Sequence, residues 1–424
     1  MAAGSGGAPS SNTGGIGKGD PETGAEAEEE ICDGLVNPAL KRAITATLRR
    51  EPTALLTRDD LDAITHLEIL DGLTTFEGFQ CLSNLQRLTV IASTARDLSP
   101  LSGLSQLVSL AIGSSAAPDF TTATSGARAL ASSLRELSLV GNGIEDLTGL
   151  GELTALTHLD LRDNRISELS GLTGLENLRQ LDLSNNRVVD ITALASLEAL
   201  ETLTLTMNRV DDLSPLGGLE RLSRLSVHEN RITSIASIEL PSLVTLDAGG
   251  NSIETLGDLS GLVELRRLDL SDNGLRDVAG LEHLVALRDL VLRQNSVSDL
   301  TPLAGLRSLR VLHLGLNPVS DLTPLAGLEE LTNLNLSNTE VALLSPLQRL
   351  SKVVELDISR THVSDLGPLL TWPELGQGCR KLRLSEDLLD DNSIETIIPR
   401  LCARDWQVSG DLKTFCNEPE CNAI

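Results

Sequence analysis

The feature that most constrains the fold of this 424-residue chain is a Leu-x-Leu-x-x-Asn pattern that returns every 22 residues. The asparagine falls at positions 142, 164, 186, 208, 230, 251, 273, 295 and 317, and Thr339 and Thr361 continue the series. Looser copies at both ends bring the count to about fifteen turns. A fixed period of this length overrides a domain count from length and predicts a solenoid, in which each turn contacts its neighbours.

Each turn of the pattern has a physical interpretation. The Leu-x-Leu stretch alternates with period two, which predicts a short strand with its leucines pointing inward and stacked into a parallel sheet. An asparagine amide both donates and accepts hydrogen bonds, so a column of asparagines is expected to pair backbone groups that the turn leaves open. The residue two places later, such as Ile144 or Ile166, returns to the core.

The decapeptide VSDLTPLAGL occurs twice, at 297–306 and at 319–328. Thr301 and Thr323 are predicted to cap a short helical turn, in which Pro302 and Pro324 take the first position, where a missing N–H costs nothing. The leucines after each proline are expected to point into the core. The decapeptide is therefore interpreted as a structural unit with no catalytic group.

Composition limits the classes of partner. Apolar residues make up 41% and aromatic residues 1%, without tyrosine, so the core must be aliphatic. Sixty acidic against 34 basic residues give a formal net charge of -26, which disfavours nucleic acid and anionic membranes. The sequence holds no apolar run of roughly 18 residues, so we expect no transmembrane segment.

The pattern divides the chain into four parts. We predict a disordered Gly/Ser/Glu-rich tail over 1–31, a helical N-terminal cap over 32–63, a solenoid over 64–378 and a C-terminal cap over 379–424. In the first cap, Asn37 and Pro38 begin a helix that runs to about Arg50, and residues 57–60 resemble a capping box. In the last cap, residues 392–403 are predicted as a helix with Ile394, Ile397, Ile398 and Leu401 on one face.

Two irregularities are expected near the N-terminal end of the solenoid. The step from Leu110 to Leu137 is 27 residues long, and its small, polar insert predicts a bulging loop. Gly72, Ser93 and Ser115 stand where later turns have asparagine.

The six cysteines lie toward the two ends of the folded region: Cys32, Cys81, Cys379, Cys402, Cys416 and Cys421. Cysteines at the ends of a solenoid suggest disulfide-stapled caps in an oxidising compartment. The alternative is a set of buried free thiols in a cytoplasmic protein. The four C-terminal cysteines allow three connectivities, and the sequence does not choose among them.

The repeat LxxLxLxxNxIxDLxPLxxL resembles that of bacterial leucine-rich repeat proteins of the internalin type, which have a 22-residue repeat. Residues 307–328 carry the resemblance, as does LTALTHLDLRDNRISELSGL, and it covers about 35–385. It implies a right-handed β/3-10 superhelix of about fifteen turns, with a parallel sheet on a concave, protein-binding face, a helical N-cap and an α/β C-cap. It implies no reaction and no cofactor. The phosphatase-regulator class has a similar repeat and implies an intracellular regulatory scaffold instead.

The residues beside each leucine pair are expected to line the concave face and to contact a partner. They are Asp160, Arg162, Asp182, Thr204, Arg224, His228, Asp247, Asp269, Val291, Arg293, Val311, His313, Asn335 and Asp357. Val291, Arg293, Val311, His313 and Leu316 form the most distinctive group, because apolar residues are unusual on so acidic a face. The alternative is ordinary surface variation.

The acidic residues allow two chemical alternatives. Calcium needs roughly six to eight oxygen ligands, and a flat ladder of carboxylates supplies few, so no metal is expected. His158 near Asp160 suggests a base with an orienting carboxylate, but no matching nucleophile is evident. We therefore expect a monomeric, non-catalytic module that binds a protein or a glycan outside the cell or in the cell envelope, with a signal peptide or lipid anchor removed from this chain. The alternative is the cytoplasmic scaffold.

Overall fold

The computed structural model describes residues 37–115, 130–236, 238–373, 379–410 and 414–416. The predicted tail over 1–31, most of the insert between Leu110 and Leu137, Cys32 and Cys421 lie outside these ranges.

Two short helices precede the sheet. Helix α1 spans Pro38–Thr47, and the Asn37 side chain accepts hydrogen bonds from the backbone N–H groups of Ala39 and Leu40. Helix α2 spans Arg58–Asp62, and Thr57 and Asp60 form a reciprocal capping box. Both capping predictions are confirmed, although α1 ends three residues before Arg50. Leu40 and Ile44 of α1 are fully buried, so this helix covers the first strand's end of the core.

One sheet of seventeen strands runs through the described residues in sequence order. Strands β1 to β16 pair in parallel, and β17 pairs antiparallel with β16. The predicted solenoid is confirmed, because the first leucine of each repeated pair lies in register with that of the next turn. The strands, β1 to β17, are His66–Ile69, Arg87–Ile91, Ser109–Gly113, Glu136–Ser138, His158–Asp160, Gln180–Asp182, Thr202–Thr204, Arg224–Ser226, Thr245–Asp247, Arg267–Asp269, Asp289–Val291, Val311–His313, Asn333–Asn335, Glu355–Ile358, Arg380–Leu384, Trp406–Ser409 and Thr414–Cys416.

The asparagine column forms the hydrogen-bonded ladder that the sequence predicts. The Nδ2 group of Asn186 donates to the carbonyls of Leu161 at 3.0 Å and Leu183 at 2.9 Å, and its Oδ1 accepts from the Ile166 N–H at 3.0 Å. One amide thus ties two successive turns together. Thr339 keeps one part of this pattern, because its hydroxyl donates to the carbonyl of Leu336.

Short 3-10 turns face the strands across the leucine core. In the first decapeptide, the 3-10 turn is Thr301–Leu303, and Leu303 and Leu306 are fully buried. The described 3-10 turns are Phe79–Cys81, Ser99–Leu101, Leu150–Glu152, Ser170–Leu172, Thr192–Ser196, Ser214–Leu216, Leu281–His283, Thr301–Leu303, Thr323–Gly327, Ser345–Arg349, Gly367–Thr371 and Glu386–Leu388.

The prediction that Thr301 and Thr323 cap these turns with their side chains is wrong. Each threonine is the first residue of its turn, and its backbone N–H donates to the aspartate two residues earlier, Asp299 or Asp321, at 2.8 Å. The aspartate carboxylate accepts the first free backbone N–H of the turn, which belongs to the threonine itself. The threonine lies inside the turn, so its side chain is not at the capping position. Proline follows as the second residue of the turn.

The C-terminal end departs from the regular repeat. The predicted helix over 392–403 contains a π-helical turn, Ser393–Ile397, and continues as α3, Ile398–Cys402. Pro399 has no N–H to donate to the preceding turn, which accounts for this irregularity. Ile397, Ile398 and Leu401 are buried as expected, whereas Ile394 is half-buried and Ser393 takes the interior position.

Disulfides occur at both ends of the solenoid. Cys402 of α3 is bonded to Cys416 of β17, and Cys81 and Cys379 are also disulfide-bonded. All four described cysteines are therefore oxidised, as the stapled-cap interpretation predicts.

Candidate functional site

The predicted binding residues stand in columns on the concave face of the sheet. Parallel register places Asp160 beside Asp182, Asp182 beside Thr204, and Val291 beside His313. Neighbouring strands are about 4.8 Å apart, so equivalent residues on adjacent turns form one continuous surface. The fourteen residues fall into three groups along the sheet: β5 to β7, β8 to β10, and β11 to β14.

The first group is held by an ion-pair network. Arg162 donates from Nε to Asp160 Oδ1 at 2.9 Å and from Nη2 to Asp160 Oδ2 at 2.8 Å, and its Nε lies 3.6 Å from Asp182 Oδ2. Hydrogen bonding to Asp160 raises the pKa of Arg162 above its usual value. These residues line a shallow depression of about 430 Å³, which Thr204 also borders.

His158 borders the same depression, but it is not engaged with Asp160 as a catalytic base would be. Its Nδ1 lies 2.8 Å from the Thr157 hydroxyl, whereas both oxygens of Asp160 accept from Arg162. These residues therefore form a polar surface whose side chains are held by hydrogen bonds to one another.

The middle group combines an imidazole with carboxylates. His228 Nδ1 lies 3.5 Å from Asp247 Oδ1, and the Ser226 hydroxyl donates to Asp247 Oδ2 at 3.3 Å. Arg224, the first residue of β8, is exposed. In the next turn, Asp269 accepts from the Ser271 hydroxyl at 2.6 Å.

The same pairing recurs along the face, with an aspartate or asparagine as acceptor and a serine as donor, and it changes how these acidic residues are interpreted. Asp182 accepts from Ser184, Asn335 from Ser337, and Asp357 from Ser359. The carbonyl or carboxylate oxygen in each pair also accepts the serine backbone N–H. These side chains stabilise the backbone just after each strand. A partner that contacts this part of the face therefore meets hydrogen-bond acceptors that are already partly occupied.

Within the third group, the residues on β11 and β12 differ from the rest of the face in having apolar side chains and unpaired polar ones. Val291 and Val311 are half-buried and lie on adjacent strands, and Leu316 is 37% exposed. Within the described part of the chain, the side chains of Arg293 and His313 make no hydrogen bond or ion pair. This surface therefore offers apolar area beside unpaired polar groups, which suits contact with another molecule.

Sequence reasoning missed a further set of residues at the edge where the strands begin. Arg266, Arg288 and Arg310 stand at equivalent positions of three consecutive turns, directly before β10, β11 and β12, and all three are exposed. The 22-residue spacing of these arginines is visible in the sequence, so reading this column would have found them.

In the described ranges, no cluster of three His, Cys, Asp or Glu residues is placed to hold a metal ion. Within those ranges, none of the helices has the length and apolar character required to cross a bilayer.

Comparisons with known proteins agree with this architecture. A family profile described as "Leucine-rich repeat" matches residues 125–238, and one described as "Leucine Rich repeats (2 copies)" matches 263–305 and 285–327. No protein in the curated set gives a significant sequence match.

Several solved structures are similar in fold. An internalin, inlF, from Listeria monocytogenes is 29% identical with a TM-score of 0.64, and the match covers 81% of this chain and 94% of that one. A leucine-rich repeat protein from Leptospira interrogans is 20% identical with a TM-score of 0.50, covering 72% and 93%. The plant peptide hormone receptor RGFR1, solved in complex with RGF2, is 20% identical with a TM-score of 0.60, covering 84% and 64%.

Proposed function

Because the chain is a leucine-rich repeat protein of the internalin type, we propose that it is a non-catalytic recognition module that binds a partner protein on its concave face. Folds of this family typically serve as binding modules. The contact surface is centred on β11 and β12, where Val291, Arg293, Val311 and His313 lie together.

The single observation that carries this proposal is the contrast along the concave face. Asp182, Asp269 and Asp357 are engaged by their own serines, whereas Arg293 and His313 remain without partners among the described residues beside exposed apolar surface. Burying that surface gains apolar contact and leaves the side chains free to pair with a partner. The plant peptide hormone receptor RGFR1, which is similar in fold, was solved in complex with RGF2, which supports a recognition role for a solenoid of this kind.

We propose further that the protein works outside the cell or in the cell envelope. Four oxidised cysteines support an oxidising compartment, since cytoplasmic reductants keep most thiols reduced. Alkylation of protein isolated from its native host under non-reducing conditions tests this. Modified Cys402 and Cys416 would instead favour the intracellular scaffold.

The binding site is tested by cross-linking the purified protein to its partner in native extracts and culture medium, and identifying the product by mass spectrometry. Val291→Glu with Val311→Glu is expected to abolish the cross-linked product, because two buried carboxylates would face an apolar contact. Val189→Glu with Leu343→Glu is the matched control, since these exposed residues lie away from the concave columns. Retention by the first variant, or equal loss in both, would reject this surface.

A further inference from the structure

We propose that the edge formed by Arg266, Arg288, Arg310, Val263 and Val285, here called the arginine edge, binds an acidic, extended peptide segment of a partner protein. This surface lies beside the concave columns and is defined by different residues, so the proposal goes beyond the concave-face contact and does not depend on it.

Backbone geometry fixes the arginines in a row. The N–H of Arg288 donates to the carbonyl of Arg266 at 2.8 Å, and the N–H of Arg310 donates to the carbonyl of Arg288 at 2.7 Å. The three residues therefore follow one another at the spacing of adjacent strands, about 4.8 Å. Three like charges at this spacing repel each other, and a bound carboxylate relieves that repulsion.

Among the residues that the structure describes, few carboxylates neutralise the row. Arg266 Nη2 lies 3.9 Å from Glu264, which is a long ion pair, and the side chains of Arg288 and Arg310 make no hydrogen bond or ion pair within the described residues. Glu330 lies near Arg310, but its carboxylate pairs with Lys352 at 2.5 Å. Asp289 follows Arg288 in the chain, but it stands in register with Arg267 on the concave side and is not part of the row.

Elsewhere in the same column the chain supplies an internal partner. Arg179 is the equivalent residue before β6, and Glu201, one turn later, lies 3.2 Å from it. On the arginine edge, the position that Glu201 fills is taken by another arginine. The missing carboxylate is thus the group that an outside ligand would provide.

Apolar residues on this edge favour a peptide over other polyanions. Val263 and Val285 are 57% and 64% exposed, and each stands three residues before Arg266 or Arg288 in a tight turn. A protein segment carries aliphatic side chains that can cover these valines, whereas a sulfated glycan or a nucleic acid carries none. Arg266 and Arg310 are about 10 Å apart, which is the span of about three residues in an extended chain. Acidic residues three apart would therefore reach both ends of the row.

The test uses the full chain and a short fluorescent peptide with glutamate at every third position and serine and leucine between, and binding is followed by fluorescence anisotropy. The same peptide with glutamine for glutamate is the charge control. We expect binding of the acidic peptide alone, weakening as salt is raised. Arg288→Glu with Arg310→Glu is expected to weaken binding about tenfold or more, since two ion pairs are replaced by repulsion.

Arg187→Glu with Arg209→Glu is the matched variant. These exposed arginines also lie on adjacent turns, but Asp190, Asp211 and Asp212 follow them closely in the chain. The matched variant is expected to change the affinity by no more than about twofold. Equal weakening in both variants would mean that losing any two positive charges explains the effect, and the proposal would fail.

Two further results would overturn the proposal. One is unchanged binding in the Arg288/Arg310 variant with its circular dichroism and thermal midpoint preserved. The other is a sulfated polysaccharide that displaces the peptide at lower concentration through the same arginines, which would assign the edge to a glycan. Neither result bears on the cross-linking test of Val291 and Val311, so the two proposals fail independently.

Discussion

The guanidinium of Arg380 lies 5.4 Å from the centre of the Trp372 ring, in the interior of the C-terminal end. The Trp406 ring lies 5.5 Å from the same group, and the two indoles are stacked with their centres 5.7 Å apart. Arg380 also donates to the backbone carbonyls of Val353, Pro373 and Ser351. Burial, with the nearby charge of Arg404, lowers the pKa of Arg380 to about 10. One cation thus joins the last regular turn to the cap.

Replacing Arg380 should destabilise the C-terminal cap. Arg380→Met leaves the buried carbonyl of Val353 and the partly buried carbonyls of Pro373 and Ser351 without this donor. We expect a net loss of about 2 kcal/mol, because removal of a buried charge offsets part of the lost bonding. Arg383→Met is the control, since Arg383 lies on the same strand and is exposed. Unfolding followed by tryptophan fluorescence reports this region directly, because both tryptophans of the chain lie there. Equal losses in the two variants would contradict the assignment.

Removing one rung of the asparagine ladder should loosen two turns at once. Asn186→Ala leaves the N–H of Ile166 unpaired in a buried site and removes one of the two amide donors to the Leu161 carbonyl, with an expected cost of about 2 kcal/mol. Asn186→Thr should cost less, because a threonine retains the bond within its own turn, as Thr339 does. The measurement is hydrogen exchange at the Ile166 amide, which both variants should accelerate. Asn177→Ala, which removes one exposed amide bond to Thr154, should leave that amide protected.

The Cys402–Cys416 disulfide should stabilise the cap rather than the whole solenoid. It closes a loop with a sequence separation of 14, and a loop of this length is worth about 3 kcal/mol. Cys402→Ser with Cys416→Ser is expected to lower the midpoint of the tryptophan transition while the far-ultraviolet signal of the solenoid moves less. A uniform shift of both signals would show that the cap and the repeats unfold together.

Acid should destabilise the 3-10 turns. Side-chain hydrogen bonds from Thr301 and Thr323 lower the pKa values of Asp299 and Asp321 below the ordinary aspartate value. The folded-state pKa is the lower one, so these bonds stabilise the fold at neutral pH and are lost as the pH falls below about 4. Asp299→Asn with Asp321→Asn keeps an acceptor that does not titrate, so the thermal midpoint should fall less in acid. The exposed pair Asp387→Asn with Asp391→Asn should retain the full acid sensitivity of the parent.

Much of the fold was predictable from the sequence because each turn contacts only its neighbours. The spacing of Leu159, Leu161 and Asn164, repeated every 22 residues, is enough to predict the strand, its inward face and the amide ladder. The N-terminal cap was equally legible, since Asn37 and Thr57 act on backbone groups a few residues away. The threonine cap was predicted wrongly because Asp299 and Thr301 are both good capping residues, and only the backbone geometry selects the aspartate.

The candidate surfaces were less predictable. The aspartates of the concave face looked available in the sequence, but Asp160 is engaged by Arg162 and Asp182 by Ser184. Arg266, Arg288 and Arg310 are 22 residues apart in the chain, and they become one surface only when three turns stack.

The sequence by itself therefore determined the period, the inward leucines and the identity of the turn-bridging amides, because those interactions are local or repeat with the chain. The tertiary structure decided which polar side chains remain available and how the solenoid ends. Arg380, Trp372 and Trp406 meet across separations that follow no period, and their packing depends on the cap folding back onto the last turn. The side chains that can bind a partner are those left without internal contacts, and only the folded structure shows which they are.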